Sequence, residues 1–353
     1  MKLLILSRYD RLGASSRLRM MQYLPWLEAA GIEVTISPFF DNKYLERLYR
    51  GEKSRIHAAG YYLRRFRQLR QMPVPDVIWL EKELLPWLPA GIEQWLSPAG
   101  VPIVSDYDDA IFHQYDLHRR PIIRRILGRK IDEVMARSSL VLAGNPYLAA
   151  RADLAGAPRV EVVPTVVDTR AYDTVPRPMA DGMARIGWIG TPSTWRQYME
   201  PMMPMLLKLA RESGAKLRAV GAGTKPALEL EVLPWAEAEE SRMIQEMDIG
   251  LMPLDGSPWA RGKCGYKLIQ YMACGLPVVA SPVGVNSDIV EDGVTGFLAS
   301  TPAEWQQAIT RLLREPELRR QMGSAGRRCV EQRYSLQVWG PRVADLLRSA
   351  APA

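Results

Sequence analysis

The chain twice runs the same local order: an apolar segment, a glycine-containing turn, a helix-length stretch, then another apolar segment. Residues 2–7 (KLLILS) lead into Gly13-Ala14-Ser15-Ser16-Arg17, and 32–37 (IEVTIS) follow Gly31. Far downstream, residues 184–189 lead into Gly190-Thr191-Pro192-Ser193, and 216–220 end at Gly221 and Gly223. Short apolar runs bounded by turn signals suit strands buried on both faces, as in parallel sheets. Parallel neighbours need a crossover connection, so this order restricts the chain to α/β architectures. Further strands are expected at 77–80, 103–105, 140–143, 160–163, 248–252 and 276–280. Ser15 or Ser16 is placed to cap a helix over 17–30 that Gly31 ends. A second helix is expected over 194–212, and the end of the chain, 303–349, reads as helical throughout.

A length of 353 residues suggests two domains. Residues 168–181 contain Pro176 and Pro178 and show no periodicity. The expected organisation is an N-terminal domain 1–170, a linker 171–181, a second domain 182–335, and a terminal helix 336–353 packing back on the first domain. Hydrophobic residues at 47% and charged residues at 24% exclude disordered, collagen-like and disulfide-scaffold classes. No apolar run reaches the roughly 20 residues of a bilayer span, and the apolar start is too short for a signal peptide. The expected location is cytoplasmic. Cys264, Cys274 and Cys329 form no C-x-x-C pair, and His57, His113 and His118 have no ligand spacing, so neither a metal nor a cofactor is expected.

The net charge is +7. Between Lys43 and Arg70 stand nine basic residues against Glu46 and Glu52. A second basic block is Arg119, Arg120, Arg124, Arg125, Arg129 and Lys130. Both lie in the first half and suggest an anionic partner there. Ile56, Ala59, Leu63, Phe66 and Leu69 fall near helical spacing among arginines. That suits a helix lying on an anionic membrane, and equally a core-packed helix with a solvated basic face. A nucleic-acid module using Tyr61, Tyr62 and Phe66 is the rival class. No nucleic-acid motif supports it, so no nucleic-acid partner is expected.

Two segments carry candidate chemistry. In the first, Gly262-Lys263-Cys264-Gly265-Tyr266-Lys267 opens a helix that runs into the strand at 276–280. Helix N-terminal amides bind anions, and Lys263 and Lys267 add positive charge; the bland alternative is turn glycines and solvated lysines. In the second, Asp106-Tyr107-Asp108-Asp109 follows a strand. Its carboxylates could bind a metal, position an acceptor hydroxyl, or cap a helix. Gly13 leaves room for a substrate near the backbone, and Arg17 is placed to meet a phosphate.

The run 267–280, with Val283-Gly284-Val285-Asn286 and Glu291-Asp292-Gly293-Val294-Thr295-Gly296-Phe297-Leu298, resembles the donor-binding domain of retaining nucleotide-sugar glycosyltransferases. These enzymes have the GT-B fold, and the likeness is to their large family-four group. Gly187-Trp188-Ile189-Gly190, Val220-Gly221-Ala222-Gly223, Ile249-Gly250-Leu251-Met252-Pro253-Leu254 and Asn145-Pro146-Tyr147-Leu148 agree in order. The resemblance implies two Rossmann-like domains whose parallel sheets face an interdomain cleft. Two family glutamates are replaced here by Gly262 and Gln270, of which Gln270 can still bond a ribose hydroxyl. Thr191 stands at a family arginine position and Arg196 near a family lysine.

The expected protein is thus a retaining glycosyltransferase of hexosyltransferase type. It would move a sugar from a nucleotide diphosphate to a hydroxyl acceptor, a lipid-linked one being an option, in surface polysaccharide or glycolipid synthesis, peripheral on the inner face of the membrane. Asp108, Asp109 and Lys263 are the catalytic candidates. Donor-binding candidates are Gly13, Arg17, Gly190, Thr191, Arg196, Gly221, Lys263, Gly265, Lys267 and Gln270. A nucleotide-sugar epimerase of the same fold is the alternative, because Gly262 offers no side chain to the sugar.

Overall fold

A computed structural model describes residues 1–49, 55–172, 174 and 181–352. Most of the expected linker, 171–181, therefore lies outside the described residues. The chain forms two compact units: Met1–Thr165 with Gly262–Cys264 and Trp339–Ala353, and Val166–Arg261 with Gly265–Val338.

The first unit holds β1 (Lys2–Leu6), β2 (Glu33–Ile36), β3 (Val77–Glu81), β4 (Ile103–Tyr107), β5 (Leu140–Ala143) and β6 (Val160–Val162). They form one sheet in the order β2-β1-β3-β4-β5-β6, every pair parallel. The second unit holds β7 (Arg185–Ile189), β8 (Lys216–Val220), β9 (Leu230–Leu233), β10 (Ile249–Met252), β11 (Val278–Ala280) and β12 (Gly296–Leu298). Their order is β12-β11-β10-β7-β8-β9, again all parallel. This is the dinucleotide-fold order, reversing direction between β7 and β10. In the first unit the reversal lies between β1 and β3. Ligands in such sheets bind outside the carboxyl ends of the strands beside the reversal.

Every residue of β3, β5, β7, β10 and β11 is buried, as strands covered on both faces are; the charged Glu81 and Arg185 stand at the ends of β3 and β7. The expectation omitted β9 and β12, short strands at the sheet edges that lack a long apolar run. The helix expected over 17–30 is broken into Ala14–Arg19, a turn at Met21–Tyr23, and Leu24–Ala29. Met20 leaves helical geometry at φ −128°, and Pro25 lacks an amide donor. Neither serine caps it. Gly13 is the cap residue, and the buried Ser16 hydroxyl accepts from the Tyr9 amide at 3.0 Å. The helix expected over 194–212 is also broken. A π turn (Trp195–Met199) and a tight turn (Glu200–Met202) precede Met203–Ser213, around Pro201 and Pro204. The terminal helical region divides into Pro302–Arg314, Pro316–Arg333 and Leu336–Ser349. Within the first unit, Gly340 of the last helix lies against Trp26, where an added Cβ would sit 2.3 Å from the indole.

The basic region forms helices Asn42–Tyr49 and Arg55–Gln71. Arg50 and Lys53 lie outside the described residues, as does the Ile56 side chain of the expected stripe. Phe66 and Leu69 pack against the core of the first unit, beside Tyr61 and Tyr62. Arg65 is buried and donates to the Ser37 carbonyl at 3.0 Å and the Ser7 carbonyl at 3.3 Å. Arg64 donates to the Phe39 carbonyl at 2.7 Å. Phe66, Leu69, Arg64 and Arg65 are used internally, whereas Leu63 is 51% exposed and Arg67 and Arg70 stand in solvent, the arrangement of a core-packed helix with a solvated basic face.

Candidate functional site

In the first unit, charged residues gather at the carboxyl ends of β1, β3 and β4, next to the reversal. β3 ends at Glu81, followed by Lys82 and Glu83. Lys82 sits at φ +65°, a left-handed conformation costly for a residue with a Cβ. Its buried ammonium lies 2.7 Å from Asp108 and 3.4 Å from the Ser15 hydroxyl. Burial favours a neutral Asp108, but the Lys82 ammonium and hydrogen bonds from Lys82 and Ser15 outweigh it and bring the carboxyl down to about 2. Burial works against the Lys82 cation, and Asp108, Asp109 and Glu81 more than reverse that, raising it.

The neighbouring carboxylates have other partners. Asp106 is buried and accepts from Arg19 Nε at 2.7 Å, while Arg19 also donates to the Val163 carbonyl at 2.7 Å. Asp109 is paired with Lys263 Nζ at 3.0 Å, both side chains remaining about a quarter exposed. The three neighbouring carboxylates thus face three different cations: Arg19, Lys82 and Lys263. Among the described residues no group of three His, Cys, Asp or Glu side chains is arranged to hold a metal. Deeper in, Glu83 accepts from Lys130 at 2.6 Å, Arg8 at 2.9 Å and the Tyr115 hydroxyl, and Lys130 also reaches Glu93 at 2.9 Å. Glu81 accepts from the Arg8 amide at 2.7 Å and the Ser16 hydroxyl at 2.5 Å, and burial raises its carboxyl.

Lys263 arrives here because residues 262–264 cluster with the first unit. Asn145 Nδ2 donates to the Gly262 carbonyl at 3.0 Å and the Lys263 carbonyl at 3.1 Å, and the Cys264 thiol donates to the Asp108 carbonyl at 3.1 Å. Burial pushes that thiol up to about 12. A Cβ at Gly262 would lie 2.5 Å from Ala110 Cβ and 2.8 Å from its amide nitrogen. The glutamate found here in the resembled family has no room on this backbone. Asn145 also caps the helix Pro146–Ala155, accepting from the Leu148 amide at 3.0 Å. Nearby, His113 bonds Asp116 through Nδ1 and the Tyr147 hydroxyl through Nε2, both at 2.8 Å.

Two first-unit candidates are placed differently from expectation. The space beside Gly13 is filled by the chain itself, since an added Cβ would meet Tyr9 Cβ at 2.3 Å. Arg17 is buried and donates to the Arg11 carbonyl at 3.2 Å.

In the second unit the candidates collect at the end of β7. An added Cβ at Gly190 would lie 2.6 Å from Trp188 ring atoms and 2.9 Å from Lys267 Cε. The Lys267 stem therefore runs along Gly190, with its ammonium 5.0 Å from the Trp188 ring centroid. Gly221 follows β8, and Gly190 donates to the Val220 carbonyl at 3.0 Å. Thr191 caps the next turn reciprocally with Thr194. Arg196 is exposed and its Nε donates back to the Pro192 carbonyl at 3.3 Å. Gly265, at φ +66°, opens the helix Tyr266–Ala273, and a Cβ there would collide with Ile289 at 2.3 Å. Lys263 and Lys267, read together in sequence, thus belong to different units.

Gln270 differs most from expectation. It is buried, and its amide donates to Glu240 at 2.6 Å and the Tyr172 hydroxyl at 3.2 Å. Tyr172 donates to Glu240 at 3.0 Å and Trp235 Nε1 to the same carboxylate at 2.7 Å. The amide already has protein partners, so it is not a ready ribose donor. Glu240 was missed because its run, Glu237-Ala238-Glu239-Glu240, reads as a solvated helix start. Lys82 was missed as well. Its signal was available: a Glu-Lys-Glu triplet directly after an apolar strand.

Residues 184–315 match the family model described as glycosyl transferases group 1. Over 64 residues the chain is 45% identical to a D-inositol 3-phosphate glycosyltransferase of Segniliparus rotundus, covering 18% of this chain and 14% of that protein. Over 67 residues it is 39% identical to the human alpha-1,3/1,6-mannosyltransferase ALG2, covering 19% and 16%. The matched stretch thus spans about a fifth or less of the curated relatives' length. Whole-chain likeness is to solved structures. HepE of Anabaena, in complex with UDP and glucose, superposes with a TM-score of 0.72 at 17% identity, covering 99% of this chain and 100% of that one. Sucrose-phosphate synthase of Thermosynechococcus elongatus superposes with a TM-score of 0.71 at 15% identity, covering 99% and 98%. The chain has the GT-B fold, and its residues 184–315 match the glycosyl transferases group 1 family model.

Proposed function

We propose that this chain is a retaining glycosyltransferase that moves a hexosyl group from a nucleotide diphosphate to a hydroxyl acceptor. The observation that carries the reading is the second unit's first strand–helix turn. Gly190 and Thr191 follow β7 beside the sheet reversal, with the Lys267 ammonium held over Trp188 at the same strand end. Such turns receive diphosphates, and the family match covers them.

In this reading the second unit binds the donor. Lys267, the Gly190–Thr191 turn, Gly221 and the amides opening at Gly265 hold the diphosphate, and Arg196 lies at its edge. Preorganised positive charge at the leaving group lowers the barrier to departure of the nucleoside diphosphate. Gln270 acts by orienting Glu240 rather than by touching the nucleotide. The first unit serves the acceptor. Asp109 and Lys263 form its partly exposed ion pair. Asp108, held ionised by Lys82, fixes the backbone between them, with Gly13 and Arg17 shaping the adjoining loop. Sugar departure and front-face attack by the acceptor hydroxyl require no protein nucleophile. The acceptor is lipid-linked or a surface-polysaccharide intermediate, met by a cytoplasmic enzyme held peripherally on a membrane. Among the described residues no helix is long and apolar enough to cross a membrane.

A thermal-shift panel of nucleoside diphosphates and nucleotide sugars tests the reading. One nucleotide series should raise the melting temperature as its concentration passes its Kd. No stabilisation by any member would remove it. Epimer formation from a nucleotide sugar without acceptor or free nucleotide would favour the epimerase instead.

A further inference from the structure

The second basic block differs from the helix Arg55–Gln71. Helix Pro121–Leu127 is held to the first unit by buried Leu127, and Lys130, just beyond it, is locked by Glu83 and Glu93. Its other face is open. Leu117, Ile122 and Ile126 are 58%, 58% and 57% exposed. Ile122 and Ile126 stand one turn apart and so share a face. Around them Arg119, Arg120, Arg124, Arg125 and Arg129 are all exposed, and residues 117–130 contain no acid. Trp87, set at φ +65°, lies edge-on to Tyr115 and His118 beside this segment.

We infer that segment 117–129 is a membrane-docking surface that takes an anionic lipid bilayer. A cluster of aliphatic side chains among arginines faces two demands at once. The arginines need counter-charge, and the isoleucines need an apolar phase. A bilayer interface supplies both, with headgroup phosphates level with the guanidiniums and acyl chains beneath. Nucleic acid would meet the charge but leaves three aliphatic side chains with nothing to stack on. A second copy of the same face would set arginine against arginine. This deepens the peripheral-membrane part of the proposed function and does not depend on its chemistry. It also moves that role from helix Arg55–Gln71, whose Arg64 and Arg65 bond backbone carbonyls and whose Phe66 and Leu69 pack inward, to this segment.

The test is co-sedimentation of the full chain with vesicles of phosphatidylcholine alone, or of equimolar phosphatidylcholine and phosphatidylglycerol. Binding should appear on the anionic vesicles only and fall with salt. Each arginine near an anionic surface contributes roughly fivefold, so the triple variant Arg120→Gln, Arg125→Gln, Arg129→Gln should bind roughly 100-fold more weakly. The pair Ile122→Ser, Ile126→Ser should weaken it by roughly tenfold or more, because the lost apolar contacts are not replaced. Both variants change exposed positions and should keep the wild-type melting temperature. Wild-type nucleotide affinity, measured separately, tells whether the glycosyltransferase reading stands or falls on its own. Equal binding to both vesicle types, or none, overturns the assignment. So does release by Arg67→Gln, Arg70→Gln while the triple variant stays bound. RNA binding without vesicle binding, or a dimer dissolved by the isoleucine changes without vesicle binding, overturns it too.

Discussion

Replacing Lys267 with Met is the sharpest single perturbation of the proposed donor site. The Met side chain keeps most of the stem that runs along Gly190 and over Trp188, and removes only the charge. In the free protein that charge lies 5.0 Å from the Trp188 ring centroid, an interaction of about 0.5–1 kcal/mol at a partly exposed position. Loss of that contact alone lowers the melting temperature by no more than a few degrees. With a diphosphate bound, the ammonium would instead donate charge-assisted hydrogen bonds of about 1.5–3 kcal/mol. At about 1.4 kcal/mol per decade, UDP should bind roughly 10- to 150-fold more weakly. Because Trp188 lies beneath the lysine, quenching of tryptophan emission during a UDP titration gives a direct readout, checked by calorimetry. Equal UDP affinity for both proteins, with wild type binding measurably, would refute the placement of the diphosphate at β7. Lys263→Ala should cost less in the same titration, since Lys263 is clustered with the first unit and paired with Asp109.

Asp108 has a folded pKa below its unfolded value of about 3.9, so its pair with Lys82 stabilises above that pH and is lost as pH falls from about 4 to about 2. The urea midpoint difference between wild type and Asp108→Asn should shrink across that window, while Asp106 and Glu81, raised by burial, titrate above it; a constant difference from pH 6 to pH 3 removes the pairing. Gly262→Ala should destabilise by about 1–3 kcal/mol through its contact with Ala110, and Gly262→Glu should not raise turnover; a stable, more active Gly262→Glu protein would show that the loop yields. Arg19→Met should cost about 3–5 kcal/mol by leaving the Asp106 carboxylate buried alone, and Arg19→Met with Asp106→Leu should recover part of it; an undiminished midpoint in the single variant would contradict the burial argument. Sugar transfer should survive EDTA, because Arg19, Lys82 and Lys263 already occupy the aspartates; loss with EDTA and return with Mn²⁺ would make those aspartates metal ligands.

Local sequence decided what depends on local forces. Ten of the twelve strands among the described residues were legible as short, largely apolar runs bounded by turn signals; the central ones are covered on both faces, and such runs are visible without knowing their neighbours. Gly31 and Gly214, both at positive φ, end their helices for a reason internal to the residue. The candidate Gly190-Thr191 turn was readable for the same reason, as a glycine turn between a strand and a helix.

The partners of each candidate were not readable, because charge pairing acts through space. Asp106, Asp108 and Asp109 stand side by side in sequence and look alike. Strand alternation and the packing of distant segments send Asp106 to Arg19, 87 positions away, and Asp109 to Lys263, 154 positions away. Gln270 and Glu240 meet only because the helix carrying each packs in the same unit. Two basic segments of similar composition ended in different places for the same reason. The first packs Phe66 and Leu69 against the core and buries Arg65, whereas the second is anchored by Leu127 and Lys130 and leaves Ile122 and Ile126 in water. Composition sets how much charge and apolar surface a segment carries. Only the tertiary structure decides which of it is already satisfied.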